Sequence, residues 1–196
     1  MCPRGSDVST LNCFEKIPIK PEDVFFVPGG MPHAIGEGVF MIEVMEPTDF
    51  AVRIEFERGG YILPEESRFM NRGIDFALSL FSYDPSSVDT IRDKYFCEPR
   101  VLKTDNKSSE YTLINKRQTP CFTVNRINIK ESYVKEAESF YICIVSKGSG
   151  TIAIEGQKYP LTEGAKFFVP HQTGSLVFES KNEMEIIATF PPEDSN

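Results

Sequence analysis

His33, Glu43 and Arg53 are the side chains of this sequence whose types and spacing could do chemistry together. An imidazole can give a lone pair to a divalent metal, a carboxylate can accept or shuttle a proton, and a guanidinium can meet a phosphate or a developing oxyanion. All three fall within residues 23–53, DVFFVPGGMPHAIGEGVFMIEVMEPTDFAVR, and His33 is one of only 2 histidines in the chain.

The elements around them read as short strands and turns. Residues 24–27 are an apolar, β-branched and aromatic run closed by Pro28, Gly29 and Gly30, which predicts a buried strand entering a turn with His33 just beyond it. Gly36 and Gly38 bracket a second turn. Residues 39–45 then alternate as a strand, with Phe40, Ile42 and Val44 on one face and Met41, Glu43 and Met45 on the other. Pro47, Thr48 and Asp49 form a turn cluster before residues 50–56, in which Arg53 lies on the opposite face from Val52 and Ile54. A hairpin centred on Thr48 would set Glu43 directly across from Arg53. A solvated surface ion pair is the plainer reading of such a pair, but the methionines flanking Glu43 favour the lining of a pocket.

The segments PGGMPHAIGEG, IEVMEPTDFAVR and FERGGYILPEESRFMNRGIDFALSLF, in that order, resemble the second half of the class I mannose-6-phosphate isomerases, the phosphomannose isomerase branch of the cupins. The resemblance runs from about Ile17 to Leu102, and the rest is similar to the family's smaller C-terminal β domain. It implies a metal-dependent aldose–ketose isomerisation of mannose 6-phosphate to fructose 6-phosphate through an enediol, in a cytoplasmic protein of carbohydrate metabolism. It further implies His33 as the last ligand of a divalent metal, usually zinc, Glu43 as a catalytic carboxylate lining the pocket, and Arg53 as the catalytic and substrate-binding arginine. The family's other ligands come from an upstream Gln-x-His segment and a Glu. No Gln-x-His segment occurs in this sequence, so the resemblance is to the C-terminal portion of the isomerase.

Composition sets the wider bounds. A chain of 196 residues fits one domain or two small ones, and no stretch approaches a membrane span. A net charge of −8 leaves no basic face for nucleic acid, so a phosphorylated hexose would be met by local groups such as Arg53. The 5 cysteines are odd in number and include no C-x-x-C pair, which argues against a disulfide framework and for reduced thiols in a cytosolic protein. No apolar core of a signal peptide opens the sequence.

The expected architecture is mainly β: two cupin-type jelly-roll or β-sandwich units, the first incomplete, with a small two-helix insertion between them. Residues 1–12 read as a flexible lead-in, 13–62 as the partial β unit carrying the site, and 63–100 as the helical segment. Residues 101–117 read as a linker and 118–192 as the C-terminal β domain. Ile74, Ala77, Leu78 and Phe81 repeat at helical spacing over residues 72–82, and Ser86-x-x-Asp89 resembles a capping box for a second helix reaching Tyr95. Phe25-Phe26-Val27-Pro28 recurs as Phe167-Phe168-Val169-Pro170, and the same offset sets Ser175 where His33 stands, so the second copy lacks the ligand. His171 has no companion at ligand spacing and reads as an ordinary turn histidine. Gly148-Ser149-Gly150 opens no helix and reads as a hairpin turn rather than a phosphate cradle.

Two alternatives stand beside the isomerase: a non-catalytic cupin-like protein binding a sugar or other small ligand, and a β scaffold whose oligomer contacts replace missing strands. A homo-oligomer stays open on either.

Overall fold

The computed structural model describes residues 15–46, 48 and 51–192, arranged as two compact units, Met1–Phe96 and Cys97–Asn196. The chain is mainly β, with a short helical segment between its strands.

In the first unit the regular elements are short. Strands β1 (Glu57–Arg58) and β2 (Tyr61–Ile62) form a hairpin turned by Gly59 and Gly60, both at positive φ, which suits the right-handed twist of a tight turn. Helix α1 (Glu65–Arg68) is a single turn, followed by α2 (Gly73–Ser79) and α3 (Val88–Tyr95). The N-cap of α3 is Ser87, whose hydroxyl accepts the backbone N–H of Thr90 at 3.2 Å, one residue later than the expected capping serine.

The strands expected at residues 24–27, 39–45 and 50–56 are not formed among the described residues. A strand exists only with a partner ladder, and here Phe25 makes a single antiparallel bridge to Phe96 while residues 39–46 and 51–56 join no strand ladder among the described residues. The expected hairpin turn lies largely outside the described residues, at Pro47, Asp49 and Phe50, as does the lead-in 1–12.

The second unit is a two-sheet β fold built on one long strand. Its strands are β3 (Arg100–Thr104), β4 (Ser108–Ile114), β5 (Thr123–Ile129), β6 (Ser132–Ala137), β7 (Tyr141–Ile154), β8 (Gln157–Thr162), β9 (Lys166–Val169), β10 (Gly174–Glu179) and β11 (Met184–Phe190). Their order is β3-β4-β5-β11-β7-β10-β6, with β8 and β9 also on β7. The first half of β7 pairs with β11 and β9, and its second half with β8 and β10, so the sheet curls over on itself at this strand.

The curl has a local cause. Ser146 is the extra residue where the β7–β11 register slips between Glu185 and Ile186, and its hydroxyl donates to the Glu185 carboxylate at 2.7 Å. Two residues on, Gly148 takes φ +76°, and a Cβ there would stand 2.1 Å from the Glu183 carbonyl oxygen. A Cβ on Gly150 would lie 2.2 Å from the Glu179 oxygen. These glycines are therefore not the expected hairpin turn; they allow β7 to continue through a bend where two neighbouring strands come close.

The expected linker 101–117 is also corrected. Most of it is β3 and β4, joined at Asp105, whose carboxylate accepts the N–H groups of Lys107 and Ser108 at 2.8 Å each and is held below its usual pKa by them. The stretch looks polar because Ser108, Glu110 and Thr112 alternate on the buried face of β4. The core between the sheets is made by Ile127, Ile129, Tyr141, Cys143, Val145, Leu176, Phe178, Met184 and Ile186, all 0–2% exposed.

Gly148→Ala combines a left-handed backbone with a carbonyl clash and is expected to cost about 2–4 kcal/mol. Gly164, at φ +82° with no atom within 4 Å of a Cβ, is the control and should lose only about 1–2 kcal/mol on the same change. Urea unfolding of the two variants checks the difference.

Candidate functional site

His33 follows a turn pinned to the helices of its own unit. The Phe26 N–H donates to the Tyr95 carbonyl at 2.9 Å, the ring of Phe25 meets Phe96 edge-on at 5.6 Å, and the Arg92 guanidinium donates to the Pro18 carbonyl. Beyond the turn, the Ser82 N–H donates to the Gly30 carbonyl at 2.8 Å. Gly30 itself sits at φ +81°, with the Leu80 oxygen 2.8 Å from where a Cβ would stand, so the Pro-Gly-Gly sequence is what permits the close approach.

The His33 ring is exposed, and its Nδ1 lies 2.9 Å from the Met31 carbonyl oxygen. With Nδ1 protonated and donating to that carbonyl, Nε2 keeps a free lone pair, the arrangement that a metal-binding imidazole uses. Glu43 and Arg53 are exposed as well, and among the described residues they form neither an ion pair nor a hydrogen bond with each other. The structure thus does not bring His33, Glu43 and Arg53 together in an enclosed pocket. The neighbouring apolar side chains are uncovered too: Phe40 is 94% exposed, and Met41, Met45 and Ile54 are exposed with it. The flanking methionines, which favoured a pocket in the sequence, here lie on an open surface.

Among the described residues no group of three or more His, Cys, Asp or Glu side chains is placed to hold an ion. These residues therefore do not make a metal centre by themselves, and no chemical step is derived through one. His171 lies exposed in the β9–β10 turn and helps line an open pocket of about 430 Å³ with Glu136, Glu138 and Gln172.

The second unit holds a buried polar cluster that sequence reasoning missed. Glu110, 7% exposed, accepts from the Tyr133 hydroxyl at 2.6 Å, from the Asn125 amide at 2.8 Å and from the Lys135 ammonium at 3.2 Å. β4 and β5 belong to one half of the curled sheet and β6 to the other, so the carboxylate ties the two layers together. Burial pushes the Glu110 carboxyl up, but the Tyr133 hydroxyl, the Lys135 charge and the Asn125 amide outweigh it and hold the group below its ordinary value. Burial raises the Tyr133 phenol above the usual tyrosine range, helped by the Glu110 hydrogen bond, and burial likewise raises Tyr141. The buried Cys143 thiol is pushed up to about 12 and is chemically quiet. The sequence signal that could have found this cluster is the placement of Tyr133, Lys135 and Ala137 on the apolar side of an alternating strand.

The family model described as mannose-6-phosphate isomerase, cupin domain, matches residues 115–191, within the second unit. The mannose-6-phosphate isomerase of Streptococcus mutans is 27% identical over 180 residues, covering 91% of this chain and 51% of that protein. Mannose-6-phosphate isomerase ManA of Bacillus subtilis is 24% identical over 170 residues, covering 86% of this chain and 49% of that protein. A crystal structure of mannose 6-phosphate isomerase from Bacillus subtilis superposes with a TM-score of 0.47 at 19% identity, covering 59% of this chain and 33% of that one. The chain spans about half the length of the curated relatives it matches. No helix among the described residues is long and apolar enough to cross a membrane.

Because the folded pKa of Glu110 is depressed, its stabilising contribution is present above the ordinary carboxyl value of 4.5 and is lost as the pH falls through the folded value. Glu110→Gln is expected to lower stability at neutral pH by about 2 kcal/mol and to flatten the acid limb of the stability curve. Denaturant unfolding from pH 3 to 7 measures both effects; an unchanged acid limb would remove Glu110 from that role. The 196 residues resemble the C-terminal portion of the mannose-6-phosphate isomerases, and residues 115–191 carry the match to the cupin domain of that family.

Proposed function

We propose that this chain works in the metal-dependent isomerisation of mannose 6-phosphate to fructose 6-phosphate, supplying part of the site while the remaining metal ligands come from outside the 196 residues. The observation that carries the reading is the similarity to mannose-6-phosphate isomerases over 86–91% of this chain, beside which Pro32-His33-Ala34, Glu43 and Arg53 resemble, in that order, the family's pattern. The exposed Nε2 face of His33 supports it. So does the uncovered apolar surface of Phe40, Met41, Met45 and Ile54, which has the character of a surface buried in a working assembly.

In this reading His33 would be one ligand of a divalent metal such as zinc, completed by ligands from elsewhere, and the metal would supply Lewis-acid stabilisation of negative charge on the sugar oxygens. Glu43 shuttles the proton between the adjacent sugar carbons, since a carboxylate can take a proton from one carbon and return it to the next. Arg53 meets the charge that develops at the reacting end of the sugar, or its phosphate. Each role requires that water be excluded from side chains that are solvent-facing here. The additional segment must therefore cover them as well as complete the ligand set. A cytoplasmic place in carbohydrate metabolism belongs to the same proposal.

The exposure of all three side chains favours a second reading, a non-catalytic cupin-like protein that binds a sugar or another small ligand. A chimera distinguishes the two: the part of the Streptococcus mutans isomerase that this chain does not match is joined to these 196 residues. The folded chimera, confirmed by thermal unfolding, is assayed for zinc content and for turnover of mannose 6-phosphate. The isomerase reading expects stoichiometric zinc and turnover, with Arg53→Met lowering kcat/KM at least about 100-fold at little cost in stability. A folded chimera that holds zinc and does not turn over would favour the binding protein. An active Arg53→Met variant would remove that residue from the site.

A further inference from the structure

We infer that the outer face of β7 and β9 in the second unit is a docking surface for a second copy of this chain, packed face to face about a two-fold axis that runs across the strands. The inference goes beyond the isomerase reading and does not rest on it, because none of His33, Glu43 and Arg53 takes part.

The surface follows from strand alternation. On β9 the side chains of Phe167 and Val169 turn into the core, so Lys166 and Phe168 turn outward. On β7 Tyr141 and Cys143 are buried, so Ile142 turns outward and stands directly across from Phe168 in the ladder. Phe140, one step before β7, reaches the same patch, with its ring centroid 6.0 Å from that of Phe168. Phe140 is 48% exposed, Ile142 52% and Phe168 58%. Single exposed apolar residues are ordinary. Three large ones side by side leave on the order of 300 Å² uncovered, a size of patch that often serves as an interface. Ile144 and Ile187, partly buried and opposite one another on β7 and β11, continue it.

The ends of the patch carry opposite charges. Lys166 is exposed at one end of β9, across from Ile144. At the other end the chain turns at Pro170, and there Glu136, Glu138 and His171 line the open pocket of about 430 Å³. Among the described residues Lys166, Glu136 and Glu138 form no ion pair. A basic partner would suit the carboxylate end and be repelled by Lys166, and an acidic partner would meet the reverse. A surface with an apolar middle, a cation at one end and carboxylates at the other is complementary to itself once the second copy is reversed. A two-fold axis along the strands would set Lys166 of one copy against Lys166 of the other. The axis across the strands instead brings Lys166 of each copy to the carboxylates of the other, while Phe168 meets Phe168 at the centre. That self-complementarity commits the surface to a second copy.

Area sets the strength. A specific interface covers roughly 800 Å² on each partner, and the apolar patch with its charged rim lies at or below that size, so the dimer is expected to be weak and to dissociate on dilution.

Sedimentation of the 196-residue chain from micromolar to submillimolar concentration tests this. The wild type should pass from monomer to dimer as concentration rises. Phe168→Thr should weaken the dimer at least about tenfold and leave the unfolding temperature of the dilute chain unchanged, since it alters an exposed side chain. Tyr159→Thr, at an exposed position on β8, should dimerise as the wild type does. A second measurement mixes two charge variants. Lys166→Glu alone, and Glu136→Lys with Glu138→Lys alone, each oppose like charges across the axis and should associate at least about threefold more weakly than the wild type. Mixed in equal amounts they should recover wild-type association, because a dimer with one copy of each restores both charge contacts. A wild type that stays monomeric throughout overturns the proposal. So does a dimer that Phe168→Thr leaves intact, as one held through Phe40 and Met41 would be, and so does a mixture that associates no better than its separate variants.

Discussion

The bend in β7 is the constraint on which the second unit depends. One strand of 14 residues serves two halves of a curled sheet, and it can do so only because a bulge at Ser146 and glycines at positions 148 and 150 let its backbone pass carbonyls that any side chain would strike. The consequence is packing. Tyr141, Cys143 and Val145 before the bend and Ile152 after it all enter one core, and the layer carrying Tyr133 and Lys135 closes over the layer carrying Glu110 and Asn125. Without that closure Glu110 would be an ordinary surface carboxylate on a polar strand.

Closure also explains why Glu110 stays charged. A carboxylate moved into an apolar interior would take up a proton, but here a phenol, an amide and an ammonium converge on its two oxygens and reverse the effect of burial. Such a group rewards only the correct register of β4 against β5 and of β6 across from them. A slip of one residue would turn Glu110 outward and leave Lys135 buried alone. The network is in this sense a specificity device for the fold.

Much of the second unit was legible in the sequence because its strands alternate in the ordinary way. The segments around Lys166–Val169 and Met184–Phe190 lie close to where short apolar runs between Gly, Pro and charged turns predict them. What could not be read was the inversion on β4, where the buried face is the polar one, so that Ser108, Glu110 and Thr112 imitate a solvated linker. Nor could the Gly148 region be read, since a glycine pair marks a turn far more often than the bend of a continuing strand. Helices α2 and α3 of the first unit were visible from their spacing, the single turn α1 was not, and the capping serine was misplaced by a single residue. The strands around His33 were expected from local pattern alone. Pattern supplies one side of a ladder, and the structure supplies no partner for it.

The two places where chemistry could occur differ in a way that bears on function. At His33, Glu43 and Arg53 the residue types suit proton transfer, but each side chain faces water, where a charge is screened. At Glu110 the carboxylate is buried, but the set contains neither a base near neutral pKa nor a nucleophilic thiol, since burial holds Cys143 protonated. Catalysis requires the reactive types and the enclosure in one place. The first site gains it only if something further covers Phe40, Met41 and Met45, and the second serves the packing of the β unit. The reactive types and the enclosure thus fall in different units of this chain, residues His33, Glu43 and Arg53 in the first and Glu110 in the second.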